Sequence, residues 1–176
     1  MRLCVDEEGA LEWVPDHTIA FTGSAFRQRL HARVAARARL IVVDAFAAGR
    51  VARGECWRFR HLESALTVED DQGWIVHDRF VLAGEGWGAL GYTEGLPYFA
   101  TVAVIADDAD HLADSARSAL RRACGARAAV ARLPRRGILV RCLAADAPGL
   151  ECVVRAVWDA VRPAVGGAGA LALRKY

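Results

Sequence analysis

The sequence predicts an α+β fold rich in strands. Residues 1–97 read as stacked β-strands, in the manner of a β-helix or sandwich. Residues 98–165 read as a β-α-β-β-α part with two helices, and 166–176 as an extended tail. Three observations carry this. Apolar residues alternate with period two through most of the first half. The glycine-rich run "GEGWGALGYTEGLP", from Gly84 to Pro97, separates the halves and forms no regular element. After it, the apolar spacing turns helical twice. Hydrophobic residues make up 54% of the 176, enough to bury one sizeable core, so a single domain is expected.

The elements follow in order. After the turn at Pro15-Asp16, a short strand is expected around Thr18 to Thr22, and Thr22-Gly23-Ser24 turns the chain back. From Phe26 to Val34, Phe26, Leu30 and Val34 share one face, and Arg27, Arg29, His31 and Arg33 share the other. Leu40 to Ala48 is apolar on both parities, so both faces should be covered, and Gly49 ends it. Glu55 to Glu69 reads as one long strand. Its apolar parity changes between Phe59 and Leu62, which predicts a bulge or bend near Arg60-His61. "EDDQG" is a hairpin loop, and Trp74 to Leu82 returns as a strand. Phe99 to Asp107 is a buried strand, and Asp107 or Asp108 caps a helix that Gly125 stops, after Cys124. Two strands follow, near Ala128–Leu133 and Ile138–Leu143. A last helix starts after Asp146-Ala147-Pro148 and breaks at Pro163.

Composition narrows the function classes. No apolar run reaches the roughly 20 residues of a membrane helix. The opening "MRLCVDEEGALEW" lacks a signal-peptide pattern, so a cytoplasmic location is expected. Cys4, Cys56, Cys124, Cys142 and Cys152 are widely spaced, which suggests buried reduced thiols and neither a disulfide framework nor a zinc site. Net charge is only +2, yet Arg27, Arg29, Arg33, Arg37, Arg39, Arg50, Arg53, Arg58 and Arg60 fall in one stretch, where an acidic partner could dock. On the basic strand from Arg27 to Arg33 only His31 joins the arginines, without aromatic interleaving, which argues against single-stranded nucleic acid. Phosphate loops, dinucleotide fingerprints, zinc-protease helices and serine elbows are absent, so ATP, NAD and zinc enzymology is unsupported.

Two acids sit at apolar parity. Asp44, with no basic residue beside it, shares parity with Leu40, Val42 and Phe46. Asp78 shares parity with Trp74, Val76, Phe80 and Leu82. Ionised carboxylates are costly inside a core unless something binds them. Glu55 opens the strand between them and is a third candidate. Three readings stay open. The acids are locally paired, as Asp44 with Arg50 or Arg58 and Asp78 with Arg79. Alternatively they form an acid–base pair, although no nucleophile or oxyanion site accompanies them. The third reading is a polar internal passage that holds a divalent cation briefly, since oxygen ligands alone bind transition metals weakly.

"LEWVPDHTIAF" (Leu11 to Phe21), "LIVVDAFAAGR" with Gly54-Glu55, "VHDRFVL" and "VWDAVRP" occur here in fixed order. That series resembles the urease accessory protein family UreD, also called UreH, over nearly the whole chain. The resemblance implies a non-enzymatic scaffold that assists nickel insertion into apo-urease, in complex with UreF and the GTPase UreG. No tightly bound cofactor is implied, and Ni2+ is held only in transit. It places Asp44, Asp78 and Glu55 at the family's acid positions along a nickel route, and Arg162 and Pro163 match its Arg-Pro after the last helix. Arg27, Arg29, Arg33, Arg162 and Trp158 are the expected partner contacts. The family's usual glycine-rich motifs before Leu11 and its Pro-Arg-x-Trp ending are missing, so the expectation is either a short form or a start placed too late. The alternative is a basic module whose arginine-rich strand meets nucleic acid or an acidic protein.

Overall fold

The structure, a computed structural model, describes residues 1–83, 86–122 and 126–167. The expected helix stop at Cys124 and Gly125, the first glycine of the central run and most of the tail lie outside these residues. Ten strands are described: β1 (Arg2–Val5), β2 (Ala10–Trp13), β3 (Thr18–Ile19), β4 (Ala25–Val34), β5 (Arg39–Ala47), β6 (His61–Asp70), β7 (Gly73–Ala83), β8 (Tyr98–Ile105), β9 (Ala126–Arg132) and β10 (Ile138–Ala144). Helix α1 (Ala109–Leu120) precedes β9, and α2 (Ala147–Val165) follows β10.

The strands form two sheets. The four-stranded sheet has the order β1-β4-β6-β7, and the six-stranded sheet runs β2-β5-β8-β10-β9, with β3 also on β5. Pairs β1/β4, β4/β6, β2/β5 and β3/β5 are parallel. A parallel pair needs a crossover. Here the crossover is a strand of the other sheet, because β4, β5 and β6 alternate between sheets. That winding produces the stacked arrangement the strand-rich half predicts.

Three layers result: the four-stranded sheet, the six-stranded sheet and the helix pair. Ile41, Val43, Val102, Val104, Ile138 and Val140 face the helices and meet Leu112, Val153, Val157 and Val161. Leu40, Val42, Ala103 and Ile105 face the other sheet and meet Leu30, Val34, Leu66 and Val68. Strand β5 is thus covered on both sides, as its unbroken apolar run requires. Asp108 caps α1 by accepting from the His111 N–H, and Asp146 caps α2 by accepting from Gly149. Among the described residues, no helix is long and apolar enough to cross a membrane.

Several expectations need correction. The strand expected from Glu55 starts only at His61. Before it come a 3-10 turn at Val51–Arg53 and an irregular run in which Trp57 adopts φ 59°. The parity change between Phe59 and Leu62 therefore marks the end of a loop. The true register irregularity lies at Val68/Glu69 and turns Trp74 outward, 64% exposed, away from the face of Asp78. Helix α2 passes through Pro163 and ends at Gly166, since a proline in the last turn removes only one bond near the end. Cys142 is buried, but Cys4 and Cys152 are exposed. Strands β1 and β2, four residues each, were not expected at all.

Candidate metal passage between the sheets

The space between the sheets is not uniformly apolar. Six strands each send one polar side chain into it. Gln28, Ser64 and Asp78 come from β4, β6 and β7, and Asp44, Thr101 and Arg141 come from β5, β8 and β10. Most bonds among them join one sheet to the other. Gln28 Nε2 donates to Asp44 Oδ1 at 2.5 Å, and Ser64 Oγ donates to Asp44 Oδ2 at 2.7 Å. Thr101 Oγ1 donates to Asp78 Oδ2 at 3.0 Å, and Arg141 Nη2 to Asp78 Oδ1 at 2.5 Å. Within one sheet, Gln28 Nε2 also reaches Ser64 Oγ at 3.1 Å.

Strand register aligns the others within each sheet. Gln28 is paired with Ser64, Asp44 with Thr101, and Thr101 with Arg141. Asp78 is offset by two residues: it stands opposite Leu66, while Ser64 stands opposite Phe80. On one side of this polar tier lie Leu30, Val42, Leu66 and Val76. On the other lie Phe46, Phe59 and Leu62, with Phe80 and Phe99 packed on them. Phe46 meets Phe80 edge-on at 5.1 Å and stacks on Phe99 at 5.3 Å between ring centroids.

The two aspartates differ. Asp44 is 8% exposed and has no cation on it, only an amide and a hydroxyl. Burial pushes its carboxyl above the usual range; Ser64 and Gln28 oppose this, and the charge of Asp78 adds to it. Asp78 carries the guanidinium of Arg141. The local-pairing reading therefore holds for Asp78 with a different partner, since Arg79 bonds Glu63 instead. For Asp44, neither Arg50 nor Arg58 supplies the bond.

Asp44 is reached from outside. A groove of about 470 Å³ runs past Trp13, Pro15, Thr18, Phe26 and Gln28 to Asp44. Strand pairing leaves this opening. On β5, β2 pairs as far as Val42 and β3 resumes at Phe46, while residues 14–17 lie between the two strands. On β4, β1 pairs from His31 onward, and the Met1 ammonium donates to the Arg29 carbonyl at 2.8 Å. Asp44 is one of the residues that line this groove. Among the described residues, no group of three or more His, Cys, Asp and Glu comes together to hold a metal ion.

Glu55 is not part of the tier. Arg50 Nε donates to its Oε2 at 2.9 Å, with a second contact from Arg50 Nη2 to Oε1, and these hold the carboxyl below its usual range. Gly49 makes this loop possible: at φ 150°, a Cβ there would lie 2.4 Å from the Glu55 carbonyl oxygen. Trp158 and Arg162 are turned into the fold. Trp158 Nε1 donates to Glu12 Oε2 at 2.7 Å and Arg162 Nε to Glu12 Oε1 at 2.9 Å, fastening α2 to β2. Arg27, Arg29 and Arg33 lie on the outer face of the four-stranded sheet, exposed.

Sequence reasoning missed Gln28, Ser64, Thr101 and Arg141. Each sits at the core parity of its strand, which was visible. Their meeting depends on register between strands far apart in sequence, which was not.

The model of the UreD urease accessory protein family matches residues 1–175. The chain belongs to the UreD family. It is 34% identical over 150 residues to a urease accessory protein UreD of Mycolicibacterium gilvum, covering 84% of this chain and 54% of that protein. It is 32% identical over 171 residues to a UreD of Pseudomonas fluorescens, covering 95% of this chain and 59% of the other. A UreD 2 of Pseudomonas syringae is 30% identical over 178 residues, covering 99% and 62%. The chain therefore spans about 54–62% of the length of these UreD relatives.

Proposed function

We propose that the chain is a non-catalytic scaffold for urease maturation in the cytoplasm. In this reading it assists nickel insertion into apo-urease together with UreF and UreG, with Asp44 and Asp78 on the nickel route. The observation that carries the nickel part is the polar tier between the sheets, open at one side through the groove to Asp44. Family membership supports the wider role.

The chemistry fits transit. Carboxylate oxygens are harder ligands than thiolate or imidazole and hold nickel loosely. Gln28 and Ser64 satisfy Asp44 while no ion is present, so the acid is stable without one. An arriving cation would displace these donors, and the negative field of Asp78 would favour onward movement. Arg27, Arg29 and Arg33 are the solvent-facing candidates for partner contact.

The test is co-expression with apo-urease, UreF and UreG. Asp44→Ala and Asp78→Ala should still co-purify with the partners while nickel per urease falls several-fold. Normal loading by both variants would overturn the nickel route. Loss of the partners from soluble protein would make the acids structural.

A further inference from the structure

The outer face of the four-stranded sheet holds an arrangement that the nickel route does not use. Glu63, on β6, points to this solvent side yet is only 4% exposed. Basic side chains cover it. Arg27 Nε donates to Oε2 at 2.7 Å, and Arg79 donates to Oε1 through Nη2 at 3.1 Å and Nε at 3.3 Å. His61 Nε2 lies 3.3 Å from Oε2. These partners hold the Glu63 carboxyl down at about 2. Both guanidiniums remain more than half exposed, at 59% and 53%. One carboxylate thus fixes two arginines side by side, from strands flanking its own.

The surroundings continue the pattern. Arg29 is paired with Ala65, itself opposite Arg79, so no acid stands between these two arginines. Among the described residues, Arg29 and Arg33 form no ion pair, while His31 meets Glu69 at 3.0 Å. At the margin, Trp74 is 64% exposed and stacks on His77 at 4.6 Å, and Val81 is 37% exposed. The helices pack on the other sheet, on the far side of the molecule. A ten-residue strand spans about 34 Å, and four strands about 15–20 Å, giving a face on the order of 600 Å². One side of a standard protein interface buries about 800 Å².

We infer that this face is a docking surface for an acidic protein surface. In it, Arg27, Arg29 and Arg79 receive carboxylates, Trp74 and Val81 form the apolar margin, and Glu63 is the positioning residue. It deepens the scaffold reading above and rests on it for the physiological partner. A protein fits better than a nucleic acid for two reasons. Glu69 stands among the bases, where a protein can offer a cation and a phosphate backbone cannot. No aromatic ring interleaves with the arginines of β4 for bases to stack on. Holding the guanidiniums beforehand reduces the side-chain entropy lost on binding.

The test uses the full chain with poly-L-glutamate as probe, and duplex DNA of matched charge beside it, at low and physiological salt. The wild type binds poly-L-glutamate and releases it as salt rises. The double variant Arg27→Ala/Arg79→Ala binds about fivefold or more weakly. Glu63→Gln removes a negative charge, yet it also weakens binding, because the arginines are no longer held. Equal or tighter binding by folded Glu63→Gln would overturn the positioning role, and tighter binding of the duplex would overturn the choice of an acidic protein. If Glu63→Gln does not fold, Arg29→Ala, an exposed change, still weakens binding or overturns the docking face. A chain that discriminates on poly-L-glutamate but never retains apo-urease or UreF would sink the scaffold reading alone.

Discussion

At the residue scale, Asp44 and Glu63 are buried carboxylates with opposite solutions. Glu63 is ringed by bases and ionises readily, whereas Asp44 has only neutral donors and resists ionisation. Their effects on stability have opposite signs. The Glu63 carboxyl is lowered from 4.5 to about 2, so its contribution is complete above 4.5 and is lost as pH falls toward 2. The Asp44 carboxyl is raised from 3.8, so its contribution is complete below 3.8 and is lost as pH climbs through the raised value. Asp44→Asn should therefore gain on the wild type as pH increases above 4, measured by urea midpoints across pH. A constant difference at every pH would show that Asp44 is ionised normally. On the proposed nickel route, the ion must displace a proton from any neutral Asp44, so the wild type should then load nickel better as pH rises. The parity of Asp44 and Asp78 in their strands was legible in the sequence, because alternation assigns faces. Their true partners were not: Gln28, Ser64 and Arg141 lie 16, 20 and 63 residues from the acids they bond.

At the element scale, local signals were read well and edges poorly. The alternation of β4, the doubly covered β5 and the capped starts of α1 and α2 follow from nearest-neighbour patterns. Strands β1 and β2 carry too few residues for a periodic signal, and exist because β4 and β5 offer parallel edges. The same holds for what fastens α2. Glu12 on β2 accepts from Trp158 and Arg162, which are 146 and 150 residues away. Trp158 is 6% exposed, so its indole N–H has little water to turn to if Glu12 is lost. Leaving such a buried donor unmet costs about 1–3 kcal/mol. Glu12→Ala should lower stability by that order and raise hydrogen exchange in the later turns of α2, with β6 and β7 unaffected. Unchanged exchange in α2 would mean that the apolar contacts of Val153, Val157 and Val161 hold the helix alone.

At the scale of the whole molecule, winding between two sheets brings polar residues of six strands together between them. No local pattern specifies that meeting, because it is the sum of several registers. The tier divides the inter-sheet core into two apolar parts, and Ser64 stands on β6, between β4 and β7, 2% exposed. A passage through the tier must move past it. Ser64→Val replaces a hydroxyl by two methyl groups there and leaves both aspartates in place. It removes one donor from Asp44 and adds volume to a packed layer, so a stability loss of about 1–3 kcal/mol is expected. Ala128→Val, exposed on β9 of the other sheet, adds comparable bulk away from the tier and from the arginine face. In the co-expression assay, both variants should retain the partner proteins. Nickel per urease should fall several-fold for Ser64→Val and stay at the wild-type level for Ala128→Val. Equal loading by the two variants would mean that nickel does not pass between the sheets. The tier would then serve the fold alone, setting the register of two sheets that purely apolar contacts would leave free to slip.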